Sequence, residues 1–189
     1  MTQQAQRRAE TPPAFLLPAA LLAKGYRLRA ERDDDIPFLM ALYASTREAE
    51  LAAVPWSAAQ KTAFLTSQFE AQRFHYRTFY PNTAFDVIEC NGVAVGRLYV
   101  DVRVTHIHVI DIALVPEMRG AGTGTALMRA LQDYARDLAM GLDLFVEKFN
   151  PALRLYRRLG FFDIADHGFQ IEMEWLPEGA PQGDQLNSA

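Results

Sequence analysis

The stretch Leu114–Met128, LVPEMRGAGTGTALM, decides how the rest of the chain is read. Glycines stand at positions 120, 122 and 124, Arg119 precedes them, and Ala126, Leu127, Ala130, Leu131, Tyr134 and Leu138 then recur at helical spacing. Immediately upstream, HIHVIDIALV is rich in β-branched residues, so the unit reads as a strand that ends in a glycine turn and opens a helix. Such a junction aims several free N–H groups and the positive end of the helix dipole at one point, which makes it an anion site. Glycines lacking Cβ let a phosphate approach the main chain, and the Arg119 guanidinium supplies a donor fork suited to phosphate oxygens.

Working outward, AFDVIEC and VAVGRLYVDVRV are joined by Asn91-Gly92, a strong hairpin signal, so an antiparallel meander leads into the loop. Gly96 inside the second strand marks a bulge or a close backbone approach. Nearer the start, GYRLRAE reads as a strand from Tyr26, followed by a helix with Asp33 to Asp35 as cap candidates, Pro37 in its first turn, and Phe38, Leu39, Leu42 and Tyr43 on one face. Ser57 caps a second helix that stops at Pro81 and carries Phe64, Leu65, Phe69 and Phe79 as its apolar face. Downstream, Gly141 closes the helix after the glycine loop, LDLFVEK is a strand, and NPALRLYRRLGFF is a helix with Asn150 as N-cap and Gly160 as stop. FFDIA and GFQIEMEW finish as two strands. The order predicts an α/β chain of the α+β type, a mixed sheet with helices on both faces.

With 189 residues, half of them hydrophobic, the chain suits one domain, spanning residues 24–177. Residues 1–23 read as a loosely ordered arm that docks Phe15, Leu16, Leu17 and Leu21, and residues 178–189 as a disordered tail. The apolar part of the arm is broken by Pro12, Pro13 and Pro18 and falls short of the ~20 residues a bilayer span needs, so neither a membrane partner nor a secretion signal is expected. A net charge of -4 argues against nucleic acid as a partner, because that binding rests on a concentrated basic surface. The single cysteine, Cys90, permits no internal disulfide and no thiolate metal site, and a cytoplasmic location follows as the expectation.

The anion that the loop holds is narrowed by what is missing. No lysine follows the glycines, as a Walker loop requires, and a dinucleotide fingerprint from Gly120 would need Gly or Ala where Thr125 stands. Glu147 lies at a suitable distance for a ribose-binding acid, which keeps a dinucleotide in play, but the antiparallel lead-in is unlike a parallel βαβ unit.

VPEMRGAGTGTAL is similar to the acyl-CoA loop of the GNAT family of N-acetyltransferases, whose pattern is Gln or Arg, two residues, Gly, one residue, then Gly or Ala; Arg119, Gly122 and Gly124 fill those places. NPALRLYRRLGF resembles the family's later motif, with Asn150, Tyr156, Gly160 and Phe161 in its positions. The resemblance spans residues 25–176 and is most specific between Asp111 and Phe161. It implies a central, mostly antiparallel twisted sheet of six to seven strands, acetyl-CoA as acyl donor, no metal, and an amine of a small molecule or peptide as acceptor. A homodimer is a further implication, since family members often pair. The CoA pyrophosphate would sit on amides of Arg119, Gly120, Ala121, Gly122, Thr123, Gly124 and Thr125, and the pantetheine arm along Leu114 and Val115, with a secondary contact from Asn150.

Acyl transfer to an amine needs a base, an oxyanion donor and an acid for the leaving thiolate. The resemblance implies Tyr156 as the acid and the Leu114 N–H as the oxyanion donor. For the base, His108, Asp111 and a water-relayed path stay open; simple alternation places His106, His108, Ile110 and Ile112 on one face of their strand and Asp111 on the other. Trp56, Phe74, His75, Tyr76 and Tyr80, with Glu48, Glu50 and Glu70, are candidates for acceptor recognition. Cys90 lies outside both motifs, so transfer should be direct. A non-catalytic CoA-binding module is the rival reading.

Overall fold

The computed structural model describes residues 14–81 and 83–179; the expectations for residues 1–13 and 180–189 fall outside them. In chain order the elements are α1 (Ala19–Ala23), β1 (Tyr26–Ala30), α2 (Ile36–Ala52), α3 (Ala58–Phe79), β2 (Ala84–Cys90), β3 (Val93–Val102), β4 (His106–Leu114), α4 (Thr123–Asp137), β5 (Gly141–Glu147), α5 (Leu153–Arg158), β6 (Phe162–Asp166) and β7 (Gln170–Trp175). They form one seven-stranded sheet of order β1-β2-β3-β4-β5-β7-β6. Every neighbouring pair is antiparallel except β4 and β5. The mixed, mostly antiparallel sheet read from the sequence is the one observed.

Local chemistry accounts for the joints. Asn91 and Gly92 both take left-handed backbone angles, φ 51° and 80°, which is the type I′ turn that matches strand twist. Gly96 sits beside a register shift that leaves Val95 unpaired, and a Cβ there would stand 2.4 Å from the Ala113 carbonyl, so bulge and close approach coincide. Ser57 and Gln60 form the reciprocal cap of α3. The helix α4 is closed by Ala139, at φ 54°, and not by Gly141. Gly141 instead opens β5, where a Cβ would fall 2.6 Å from the His106 ring. The helix α5 begins at Leu153, later than its motif suggests, with the Asn150 carboxamide oxygen accepting from the Ala152 N–H at 2.9 Å.

The main core lies between the sheet and α4, built from Ile107, Val109, Leu127, Leu131, Leu142 and Leu144, with α5 packed into it. Residues read as a loose arm contribute here: Leu17 and Leu21 are buried, α1 carries Leu21, and Phe15 meets the Tyr134 ring at 5.5 Å. Leu16 is exposed. On the opposite face a smaller cluster of Leu39, Tyr43 and Phe69 joins α2 and α3 to the sheet. Of the face expected for α3, Phe69 is buried and Leu65 partly so, whereas Phe64 and Phe79 are exposed. The helix is covered on one narrow stripe only, which leaves its last turn free to line a cleft.

Candidate active site

β4 pairs with β5 only from His106 to Val109, and beyond that the two strands part. The cause is local. Ile110 is an extra residue opposite Tyr99 and Val100 of β3, a bulge that reverses the alternation of faces along β4. His108 and Asp111, placed on opposite faces by simple alternation, therefore both line one cleft beneath α2 and α3. The cleft measures about 530 Å³ and is also lined by Tyr76, Tyr80, Arg97, Phe145, Glu147, Asn150 and Tyr156.

His108 is 2% exposed, and its Nδ1 lies 2.5 Å from Oδ2 of Asp143, its register partner on β5. A carboxylate only accepts, so Nδ1 carries the proton and donates it, which leaves the Nε2 lone pair as the free basic site. Tyr80 stacks on the ring at 5.8 Å and Phe145 meets it edge-on at 5.7 Å, fixing its plane. This is the arrangement of a general base oriented by a carboxylate. Asp111 is differently engaged: its Oδ2 accepts from Arg97 Nη2 at 2.6 Å and from the Tyr76 hydroxyl at 3.1 Å. Arg97, 3% exposed, also donates to Gln72 Oε1 at 3.0 Å. Asp111 thus neutralises a buried guanidinium and ties α3 to the sheet, a role that competes with proton abstraction.

Tyr156, on α5, is buried against Phe161, and among the described residues its hydroxyl has no hydrogen-bond partner. Burial, reinforced by the negative charge of Asp111, pushes its ionisation well above the ordinary tyrosine value, so the hydroxyl keeps its proton at any working pH. Gln132 of α4 holds this helix by donating to the Leu159 carbonyl at 2.7 Å.

The glycine loop, reached by the strand whose Ala113 lines the cleft, is held open. Gly120 and Gly122 adopt φ 74° and 85°, conformations that suit glycine. Among the described residues no N–H from Gly120 to Thr125 has a partner, while Ala126 makes the first bond of α4. The Thr123 hydroxyl is anchored to the Tyr26 hydroxyl at 2.9 Å. Two expected contributors are otherwise occupied. The Arg119 N–H donates to the Pro116 carbonyl, and its guanidinium folds back to the Leu114 carbonyl at 2.8 Å and to Ser45 Oγ of α2 at 2.8 Å. The side chain braces the loop against α2 in place of offering a phosphate fork. The Val115 N–H donates to the Val95 carbonyl, and the Val115 carbonyl accepts from the Met118 N–H. Because Val115 and Val95 are hydrogen-bonded, Leu114 occupies the alternate, non-bonded position and directs its N–H away from β3, toward the opening between β4 and β5.

A family model described as the acetyltransferase (GNAT) family matches residues 41–161. The chain belongs to the GNAT family. An N-acetyltransferase of Methanocaldococcus jannaschii, itself uncharacterized, is 32% identical over 108 residues, which cover 55% of this chain and 68% of that protein. The streptothricin acetyltransferase of Streptomyces lavendulae is 44% identical over 54 residues, 27% of this chain and 28% of that enzyme. Among solved structures, the PaiA N-acetyltransferase of Thermoplasma acidophilum in complex with coenzyme A superposes with a TM-score of 0.61 at 14% identity, covering 80% of this chain and 99% of that one. The ribosomal-protein-S18-alanine N-acetyltransferase of Escherichia coli gives 0.55 at 19% identity, covering 86% and 99%. At these identities the structures speak for the fold; family and relatives together make this GNAT protein an acyltransferase of the N-acetyltransferase kind.

Several residues of the cleft have no signal in the motifs. Arg97 and Gln72 are two, Asp143 behind His108 is a third, and the Arg47–Glu147 pair, 2.8 Å apart and bridging α2 to the end of β5, is another. Asp143 alternates with Leu142 and Leu144, which marks it as facing away from the core, but its partner depends on the parallel register with β4. Of the suggested acceptor residues, His75, Tyr76 and Tyr80 line the cleft. Trp56 packs on Phe64, Phe74 is exposed on another surface beside Glu70, and Glu50 pairs with Arg47. Glu48 is exposed and lines no part of the cleft. No helix among the described residues is long and apolar enough to cross a membrane.

Proposed function

We propose that the protein is an acetyl-CoA-dependent N-acetyltransferase that moves the acetyl group directly to a primary amine of a small molecule or peptide. The observation that carries this reading is His108, backed by Asp143, sharing one cleft with Tyr156, on the strand that runs on into a loop of unpartnered amides. The solved CoA complex of the PaiA relative supports the choice of donor.

In this reading the pyrophosphate sits on the amides of Gly120 to Thr125, and the pantetheine arm enters where β4 and β5 part, pairing with the outward main chain near Leu114. His108 Nε2 takes the proton that the attacking ammonium must lose. The nitrogen then bonds to the acetyl carbon while the Leu114 N–H stabilises the oxyanion. As the carbon–sulfur bond breaks, the thiolate takes its proton from the Tyr156 hydroxyl, and the second proton, which the nitrogen sheds as the amide forms, returns through water to the Tyr156 oxygen, while His108 passes the first to solvent. Cys90 lies on β2, away from the residues that line the cleft, which supports transfer without a covalent enzyme intermediate. A lone free thiol also suits a reducing, cytoplasmic setting.

The test is release of free CoA thiol from acetyl-CoA with a broad panel of amines. Amine-dependent release is expected, and Tyr156→Phe should lower kcat by about 10²-fold while leaving CoA affinity unchanged, as loss of a general acid does. Intact CoA binding without thiol release for any amine overturns the proposal, and equal losses of kcat and CoA affinity in Tyr156→Phe reduce that residue to packing.

A further inference from the structure

The acceptor end of the cleft has a definite chemistry, and reading it rests on the function just proposed. The donor side ends near Leu114, where Arg119 ties the glycine loop to α2, so the acceptor must reach His108 from the opposite side. That side is walled by His75, Tyr76 and Tyr80 from the last turns of α3 and by Phe145 of β5. Their rings are in mutual contact: Tyr80 with His108 at 5.8 Å, His75 and Tyr76 with Tyr80 at 6.3 Å each, and Phe145 with His108 at 5.7 Å. Phe145 keeps 42% of its surface exposed at the mouth, a large apolar face held next to the base.

The charges point the same way. Among the residues lining the cleft, each carboxylate already has an arginine, Asp111 with Arg97 and Glu147 with Arg47. Asp143, behind the imidazole, is committed to His108. Among the lining residues the charges balance, and Glu50, which shares Arg47 with Glu147, sits outside the lining on the exposed side of α2, so the second or third ammonium of a polycation would face aromatic surface and paired groups. A single ammonium carried on an apolar or aromatic skeleton meets what is present: ring faces for a cation–π contact, apolar area for the skeleton, and His108 Nε2 for the proton.

We infer that the acceptor is a small monoamine bearing an apolar or aromatic group, selected by the aromatic wall of Tyr80, His75 and Phe145, and that polyamines and lysine-rich peptides are disfavoured. The proton of the monoamine leaves to His108 and its nitrogen takes the acetyl group as described above, so no further reactant is required.

The experiment compares kcat/KM for 2-phenylethylamine, hexylamine, spermidine and a lysine-rich peptide at saturating acetyl-CoA. The aromatic and aliphatic monoamines are expected to exceed spermidine by at least about tenfold, the scale of discrimination an apolar pocket provides. Phe145→Ala, at the mouth, should raise KM for 2-phenylethylamine by about tenfold and leave KM for acetyl-CoA unchanged, while Tyr80→Phe keeps the ring and the preference. Spermidine or the peptide being preferred overturns the inference and leaves the proposed transferase activity standing. A Phe145→Ala loss that falls equally on all amines also overturns it. Absence of turnover with every amine despite acetyl-CoA binding removes the proposed function and this inference together.

Discussion

Replacing Asp143 by Asn tests the chemistry of the cleft without removing a residue that touches substrate. The Asp143 carboxylate holds His108 Nδ1 at 2.5 Å in a buried setting, His108 being 2% and Asp143 8% exposed. A hydrogen bond to a charged partner contributes about 1.5–3 kcal/mol and a neutral one about 0.5–1.5, so the amide forfeits about 1.4 kcal/mol of orientation, or a factor of about ten. The amide also presents an NH₂ group, and when that donates to Nδ1 the ring proton moves to Nε2, where no lone pair is left for the amine. A comparable bias between tautomers adds about another tenfold, giving kcat reduced about 10²-fold, within the 10²–10⁴ that a general base supplies and that His108→Ala should lose. The assay is steady-state thiol release across pH 5–9 with acetyl-CoA saturating, beside thermal unfolding of each variant. An imidazole base must be unprotonated to act, so the acid limb of the parent profile should vanish in His108→Ala. The reasoning fails if Asp143→Asn loses less than about threefold, or if its KM for acetyl-CoA rises as far as kcat falls, because orientation of a base does not bear on donor binding.

Two further outcomes concern stability. Arg97→Met leaves the partly buried Asp111 with only Tyr76 for a partner and should destabilise the fold by about 3 kcal/mol, the low end for a broken buried pair, whereas Arg97→Met combined with Asp111→Leu should recover most of that, both read from urea denaturation; a double variant no better than the single one refutes the account of the pair. Tyr76, Tyr99 and Tyr156 are all pushed above the ordinary tyrosine value, chiefly by burial, with Asp111 or Glu31 adding negative charge nearby. Above pH ~10 the unfolded chain releases protons that the folded chain retains, so the stability tied to these rings is complete below that pH and declines as pH rises beyond it. Tyrosinate absorbance from these rings should then appear together with unfolding; its appearance near pH 10 in a chain still folded refutes the assignment.

How far the sequence could be read follows from the range of the interactions involved. Asn91-Gly92, Ser57 with Gln60, and the glycines at 120 and 122 act within a few residues, and each shows the conformation its chemistry demands. Hydrophobic period was equally informative for α4, whose Leu127, Leu131 and Ala135 are fully buried. It failed on α3, because that helix buries one narrow stripe and gives its remaining aromatics to surface and cleft, and composition alone does not tell those uses apart. Gly141 misled for a related reason: a glycine after a helix suggests a cap, but here the absent Cβ makes room for the His106 ring, a contact across strands.

The site shows the same division more sharply. The glycine turn and the helix that carries Tyr156 are locatable in the sequence because each belongs to a contiguous motif. The face shared by His108 and Asp111 was not, since one extra residue, Ile110, reverses every side chain beyond it, and nothing in HIHVIDIALV marks which residue is extra. Asp143 and Arg97 reach the site through strand pairing alone, His108 with Asp143 in parallel and Tyr99 with Asp111 in antiparallel register. Their effect is to separate two acids that sequence treats alike. Asp143 meets an imidazole and accepts its Nδ1 proton, while Asp111 meets a guanidinium that never yields its proton and becomes a strut. The bulge is therefore also the device that assigns the chemistry: were Ile110 paired in regular register opposite Tyr99, Asp111 would fall on the core face with Val109 and Arg97 would lose its partner.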